Sequence, residues 1–505
     1  MAQTPERFDV VVVGSGSGGG VVAARLSEDD RCRVLVLEAG PDFPQEPPLQ
    51  PLFTVSGERS WFPSGVPEFD WWLWNEAQPN GHRVRLPRGK LVGGSSMVNA
   101  TIAVRPAPSD LDGWARRGCP GWDARSLGPY FRRLETDLDF PDDPAHGRDG
   151  PIRIRRYPRM EWAPINESFF QASTELGFRA VADLNADGAH AGVVGAYPHS
   201  RYREERQGTL TTYLRAARHR PNLTIRAETL VDRVLVEDGR ARAVRCASGG
   251  TSYEVGAGEV VVAAGVYGTP AVLQRSGIGI AKELRALRIP VVVDLPVGRG
   301  LNDHPACSFA LRSESLASLH GRLIATELRG PANATGETEF HIHPMPLDED
   351  AGTATLFTFL SRSEARGTVG IRSTDPAVPP VIDHRYLSGA DDLRRFRDAW
   401  EVCRALVASG PFRSAGAVAD APTADAALER GLVSAHHQSG GCPMGPPDGT
   451  TVVDPNLRVH GIDGLRVADT SVFPDTVMHN TNLTTFAIGE VAADLIRGAG
   501  RLDAD

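Results

Sequence analysis

Two polar side chains near the end of the chain are of the types that oxidise an alcohol. His437 lies in Ala-His-His-Gln-Ser-Gly-Gly-Cys and Asn480 in His-Asn-Thr-Asn-Leu, on separate loops with a strand and turn between them. A hydroxyl becomes a carbonyl when a base takes its proton while a hydride leaves the carbon. A neutral imidazole accepts the proton, and an amide donor beside it steadies the developing alkoxide. What this chemistry still needs is a hydride acceptor.

The first forty residues supply a place for one. Phe8 to Val13 is a short β-branched run, followed by Gly14-Ser15-Gly16-Ser17-Gly18-Gly19 and then by Val21 to Leu26, which reads as a helix. In such a strand, turn and helix, Gly14 permits the tight turn, Gly16 lets backbone approach a pyrophosphate, and Gly19 lets helix and strand pack closely. A second apolar run, Val34 to Leu37, ends at Glu38, an acid placed to accept from a ribose hydroxyl. Far down the chain, Gly464 to Pro474 reads as a strand that returns Asp469 to the same fold. A dinucleotide site shared by distant parts of a chain points to a flavin rather than a nicotinamide.

Further motifs carry a resemblance. Leu86-Pro87-Arg88-Gly89-Lys90-Leu91-Val92-Gly93-Gly94-Ser95-Ser96-Met97-Val98-Asn99, Gly265-Val266-Tyr267-Gly268-Thr269-Pro270 with Ser276-Gly277-Ile278-Gly279, Leu301-Asn302-Asp303-His304-Pro305, and Asn480 through Glu490 stand in order behind the glycine turn. In this the chain resembles the glucose-methanol-choline (GMC) oxidoreductases from about Phe8 to Ile496. The resemblance implies FAD, an α/β Rossmann-like flavin-binding domain with an α+β substrate domain on an antiparallel sheet, and oxidation of an alcohol. Carried over position by position, it assigns the flavin to Gly14, Gly16, Ser17, Gly19, Glu38, Arg88, Gly94, Ser95, Asn99, Val231, Asp469, Asn480 and Thr481. Gly441, Pro443, Ile280 and Pro106 replace the family's commoner Thr, Arg, Pro and Gly, which puts pocket shape and subgroup in question. Relatives with covalent flavin place a histidine directly before the signature Asn. Here Val98 stands there, so non-covalent FAD is expected.

The same register separates neighbouring candidates. His436 and His437 are adjacent, and an extended backbone would point them to opposite sides. Taking the base five positions ahead of Cys442, in His-x-x-Gly-x-Cys, selects His437, and Asn-x-Asn-Leu-Thr favours Asn480 over His479. His341 and His343, two apart on an apparent strand, would make half a metal site. Without further ligands nearby they read as solvent- or pocket-facing, and no metal is expected. Trp71, Trp72 and Trp74 could stack on a ring, although packing is the commoner use.

Composition sets the bounds. A chain of 505 residues is long for one core, so two domains are expected: 1–155, 210–305 and 431–505 for the flavin, 156–209 and 306–430 for the substrate. Pro41 to Pro79 reads as an excursion folding over the nucleotide, and Glu337 to His343, Thr353 to Leu360 and Gly367 to Arg372 as sheet strands. Leu393, Phe396, Trp400, Cys403 and Val407 recur at helical spacing. A net charge of -9 argues against a nucleic-acid partner. No apolar run approaches the roughly eighteen residues of a membrane span, and the start runs straight into the first strand, so no signal peptide is expected. Six unpaired-looking cysteines fit a reducing cytoplasm.

The expected reaction is oxidation of a primary alcohol to an aldehyde, with proton transfer to His437, hydride transfer to flavin N5, and O2 or another acceptor closing the cycle. Glu337, Glu339, Asp348, Glu349, Asp350 and Asp383 are expected to border the pocket and to concentrate cations. With a composition rich in Ala, Arg, Gly and Val, this resembles the family members that oxidise the 6'-hydroxyl of aminoglycoside antibiotic precursors. An aryl, furan or other small alcohol is the alternative, and lyase chemistry on the same fold is a third reading.

Overall fold

The computed structural model describes residues 6–44, 67–76, 81–334, 336–420 and 423–498. Most of the excursion expected over Pro41 to Pro79 lies outside them. Arg7–Val13 forms the heart of a seven-stranded sheet. It runs parallel to Val34–Leu37 on one side and to Thr251–Val262 on the other, with Val12 opposite both Val36 and Val261. Leu223–Arg226 and Leu465–Val467 extend the parallel part. Residues buried on both faces suit β-branched side chains, which explains the continuous valines of the central strands. Leu230–Glu237 and Arg240–Ser248 complete the sheet as antiparallel strands against the first half of Thr251–Val262.

The chain's two ends lock together through helices. Gly19–Leu26 packs on Asn482–Arg497, where a side chain at Gly489 would press on the Gly18 carbonyl and Val21. Between them, the buried Glu490 accepts from Arg25 Nη2 at 2.9 Å and Tyr213 Oη at 2.6 Å and pairs with Arg133.

A second core lies under a larger, mainly antiparallel sheet. Pro305–Arg312, Thr353–Leu360, Phe340–Asp348 and Thr326–Arg329 are successive neighbours, continued by Val193–Ala196 and Arg179–Val181. Helix Ala390–Val407 covers this sheet with Phe396, Trp400, Cys403 and Val407 buried, the face anticipated from the helical spacing. Leu393 is only partly buried.

One buried cluster resembles a metal site in composition. Ligand atoms of Glu135, Asp137 and His146 lie within 4.8 Å of one another. Arginines already fill it: Arg105 pairs with Glu135, and Arg156 with Asp137 and Asp183. His146 Nδ1 meets Glu135 at 2.8 Å and Nε2 meets Asp183 at 3.1 Å. With a carboxylate on each nitrogen, both nitrogens must donate, so the ring is an imidazolium. Burial opposes this, but the Asp183 and Glu135 hydrogen bonds raise His146 to about 9. Three cations then face three carboxylates, with Asp139 at the solvent edge. Because the folded value lies above the ordinary 6.5, the stabilisation is complete below pH 6.5 and lost as pH rises through about 9. Removing one partner of such a cluster costs about 3–5 kcal/mol. Thermal unfolding from pH 6 to 10 should show this loss in the native protein, and His146→Ala should be less stable at pH 6 without the further fall.

Candidate active site

The glycine turn is set by close backbone approaches. Gly14 has φ +94°, and a side chain there would overlap the Ala263 carbonyl; one on Gly18 would overlap the Ala468 carbonyl, and one on Gly19 the Gly14 carbonyl. Gly16 differs. A Cβ there would meet only Gly94 Cα, at 4.0 Å, and the residue lines a cavity of about 910 Å³. This bare strip of backbone beside a helix start is what a pyrophosphate needs, so the residues fit a dinucleotide.

Around that cavity the other candidates take identifiable places. Glu38 is buried, and its Oε2 accepts from Ser15 N at 3.1 Å and Ser15 Oγ at 2.6 Å while Oε1 accepts from Gly40 N at 3.1 Å. Burial raises its pKa against those hydrogen bonds. Asp469 Oδ2 accepts from Gly265 N at 2.8 Å and from Thr269 Oγ1, tying the start of helix Gly265–Arg275 to the returning strand. Ser17 Oγ donates to Asn482 Oδ1 at 2.7 Å, joining the glycine turn to the loop that carries Asn480 and Thr481. Gly94, Ser95, Asn99 and Val231 also line the cavity. Ser95 Oγ accepts from Gly89 N at 3.1 Å, and Asn99 Oδ1 from Thr101 N at 2.9 Å, so both brace the signature loop. Arg88 Nη2 donates to the His436 carbonyl at 3.3 Å.

His437 and Asn480 meet at the cavity wall, with Asn480 Nδ2 and His437 Nε2 at 2.8 Å. His437 Nδ1 lies 2.9 Å from His304 Nδ1, so one proton sits between the two rings. Burial first, then His304, His436, His341 and Arg88, hold His437 well below 6.5 and therefore neutral. A substrate hydroxyl seated at this pair meets a base and an amide donor together. His436 is not extended: with φ +66° it turns the chain, so both histidines line the cavity instead of facing opposite sides.

The network behind His437 was not assigned from sequence. Asp303 Oδ1 accepts from His304 N at 2.8 Å and His437 N at 3.0 Å, and Oδ2 accepts from Ser434 Oγ and, at 2.6 Å, from Tyr386 Oη. The Leu301 to Pro305 motif was its only visible signal.

Two expectations need correction. The acidic residues do not line the cavity: Glu337 pairs with Arg362, Glu339 with Arg394 and Asp383 with Arg385, while Asp348, at the end of its strand, and Glu349 and Asp350, on the turn after it, are exposed. Arginines therefore pair with Glu337, Glu339 and Asp383, two of them from 25 and 55 residues away. His341 faces neither solvent nor cavity; it is buried with Nδ1 2.8 Å from Glu327, and only His343 lines the cavity. Trp71 and Trp72 line it too, Trp72 with Arg85 stacked at 4.0 Å, whereas Trp74 does not. The six cysteines are unpaired, and no helix among the described residues is long and apolar enough to cross a membrane.

A bare glycine strip, a buried acid after the second strand, and a base with an amide donor at the far end define a dinucleotide-dependent oxidoreductase. The family model described as GMC oxidoreductase matches residues 8–306 and 363–489. The oxygen-dependent choline dehydrogenase of Sinorhizobium fredii (strain NBRC 101917 / NGR234) is 33% identical over 536 aligned residues, covering 97% of this chain and 95% of that protein. Pyridoxine 4-oxidase from Mesorbium loti superposes with a TM-score of 0.87 at 28% identity, covering 97% of this chain and 99% of that one. A fungal aryl-alcohol oxidase shares the fold, with a TM-score of 0.84 at 24% identity over 98% of this chain and 99% of that one. The chain belongs to the GMC oxidoreductase family and is an FAD-dependent oxidoreductase.

Proposed function

We propose that this enzyme oxidises an aromatic or heteroaromatic primary alcohol to its aldehyde, with His437 as proton acceptor and Asn480 as the donor that holds the substrate oxygen. The observation that carries this is the 2.8 Å His437–Asn480 pair opening on a cavity end walled by Tyr197, Ile324, Met345, Phe357 and Phe359. Every described carboxylate that lines the cavity is committed elsewhere. Glu38 holds Ser15 and Gly40, Asp70 holds Trp72 N and Arg85, and Asp469 holds Gly265 and Thr269. A cationic alcohol, whether an amino sugar or the choline of the named relative, would find no bare carboxylate there. The relative named for pyridoxine, a pyridine alcohol, agrees better with these walls.

FAD, when bound along the glycine turn, Glu38 and the Asp469 loop, supplies the hydride acceptor. The substrate O–H enters between Asn480 Nδ2 and His437 Nε2, and the proton passes to Nε2 as the C–H bond breaks. With a proton on Nδ1, His437 donates to His304 Nδ1, and its backbone N–H on Asp303 holds the ring at the cavity. Burial makes an imidazolium costly, so no proton occupies Nε2 before the alcohol arrives. O2 or another small acceptor closes the cycle. The flavin is held without a covalent bond, since Val98 offers no nucleophile.

Anaerobic mixing tests the reading. Benzylic and furan alcohols should bleach the flavin, with kcat/KM unchanged between about 0.01 and 0.5 M salt because no charge field steers them. Faster, salt-sensitive bleaching by amino sugars would replace the aromatic substrate with the amino-sugar precursor. Bleaching by no alcohol would leave lyase chemistry. Acid precipitation should release all yellow colour to the supernatant.

A further inference from the structure

We propose that the cavity holds a second, distal subsite, His343 Nε2, which accepts a hydrogen bond from the substrate, so that the preferred substrate is an aromatic alcohol bearing a second hydroxyl across the ring. This rests on the aromatic-alcohol reading above and adds a specificity that the reading does not require.

The wall between the two ends is a pair of antiparallel strands. Phe340–Asp348 and Thr353–Leu360 place His341 opposite Phe359 and His343 opposite Phe357. Residues two apart on a strand share a face, so Phe357 and Phe359 stand side by side with ring centroids 6.4 Å apart. Phe359 packs edge-on against His437, with ring centroids 5.5 Å apart, and Phe357 lies against His343 at 5.0 Å. One wall therefore runs from the proton acceptor to His343 over the length of a single substituted ring.

The protons at the far end are fixed by what lies behind it. Glu327 is buried; burial opposes its charge, but Arg329 and His341 hold it at about 2. Its Oε1 accepts from Tyr197 Oη at 3.1 Å. Tyr197 has one proton, and the ionised carboxylate is the stronger acceptor. What Tyr197 turns toward His343 Nδ1, 3.4 Å away, is therefore a lone pair. Two lone pairs facing each other repel, so His343 carries its proton on Nδ1. Burial pushes His343 down to about 4, so the ring is neutral and Nε2 is a bare acceptor. His343 is 8% exposed and lines the cavity, and Nε2 has no protein partner among the described residues. A buried acceptor facing a cavity selects a ligand that brings a donor.

Three substrates test this on the holoenzyme: benzene-1,4-dimethanol, its monomethyl ether, which keeps the distal oxygen but loses its proton, and 4-methylbenzyl alcohol, which loses both. After halving for its two equivalent ends, kcat/KM for the diol should exceed that of either other alcohol by about tenfold, mainly through KM. His343→Leu should bring the ratio to near one. His343→Gln, whose amide oxygen accepts, should keep most of it, and Tyr197→Phe should lower it by freeing the His343 tautomer. Each variant is compared at equal flavin content. Anaerobic calorimetry on His437→Ala, with flavin reduction slowed, should show the same preference in Kd for the diol over the ether. Equal kcat/KM for all three, or a preference that survives His343→Leu, would overturn the subsite and leave the aromatic-alcohol reading standing. Failure of all three to reduce the enzyme would remove both.

Discussion

His437→Ala will retain FAD and lose alcohol-dependent flavin reduction by about 10² to 10⁴, the range that a positioned general base contributes. The substitution removes the acceptor at Nε2 and changes none of Gly14, Gly16, Glu38 or Asp469, which line the same cavity. Flavin content by absorbance and the reductive rate by anaerobic stopped flow separate the two effects. Since burial and the surrounding histidines keep His437 neutral, the acid limb of kcat/KM in the native enzyme lies below the ordinary imidazole value of 6.5, and the profile is flat above it. His436→Ala should cost much less. Its N–H to Ser434 Oγ at 2.7 Å and its carbonyl from Arg88 at 3.3 Å are backbone contacts that survive loss of the ring. Equal damage in the two variants, or a larger loss in His436→Ala, would move the base by one residue.

What the sequence made legible, and what it hid, follows from the reach of the interactions. The glycine turn was readable because its demands are local: φ +94° at Gly14, and backbone contacts at Gly18 and Gly19 that no side chain permits. Thr353 to Leu360 was readable because a short run of Thr, Phe and Leu is also a local signal, although the strand is buried at most positions on both faces. The long pair Arg240–Ser248 and Thr251–Val262 gives a weak signal, since its half-buried pattern carries charged residues on the open face. The acidic field was misread for the opposite reason. Glu339 looks unbalanced in a window, yet Arg394 reaches it from 55 residues away. His341 likewise owes its burial to Glu327, a partner on the neighbouring strand's far side of a turn. Charges and burial are properties of contacts, and such contacts carry no mark in either segment alone.

Asp303 makes that argument testable at the site itself, because one carboxylate collects contacts from segments 83 and 131 residues apart. Its four acceptor bonds hold His304 and His437 by their backbone N–H groups and Ser434 and Tyr386 by their hydroxyls. Burial raises its pKa, with Ser434 and Tyr386 opposing, so the site carries the cost of a buried acid to hold this loop. Asp303→Ala leaves those donors buried without an acceptor, at about 1–3 kcal/mol each and not additively. The loop then relaxes and His437 shifts from Asn480; a displacement of about 1 Å is enough to cost roughly 10² in rate. Asp303→Asn keeps an oxygen for the two backbone N–H groups that place His437, and the Tyr386 hydroxyl can rotate to accept from its amide, while Ser434 Oγ, which already accepts from His436 N and Gln438 Nε2, loses its acceptor. It should therefore recover most of kcat and much of the Tm lost in Asp303→Ala. If the two variants reacted equally slowly, the charge would matter more than the geometry. If Asp303→Ala reduced its flavin at the native rate, the position of His437 would be set by Asn480 and His304 alone.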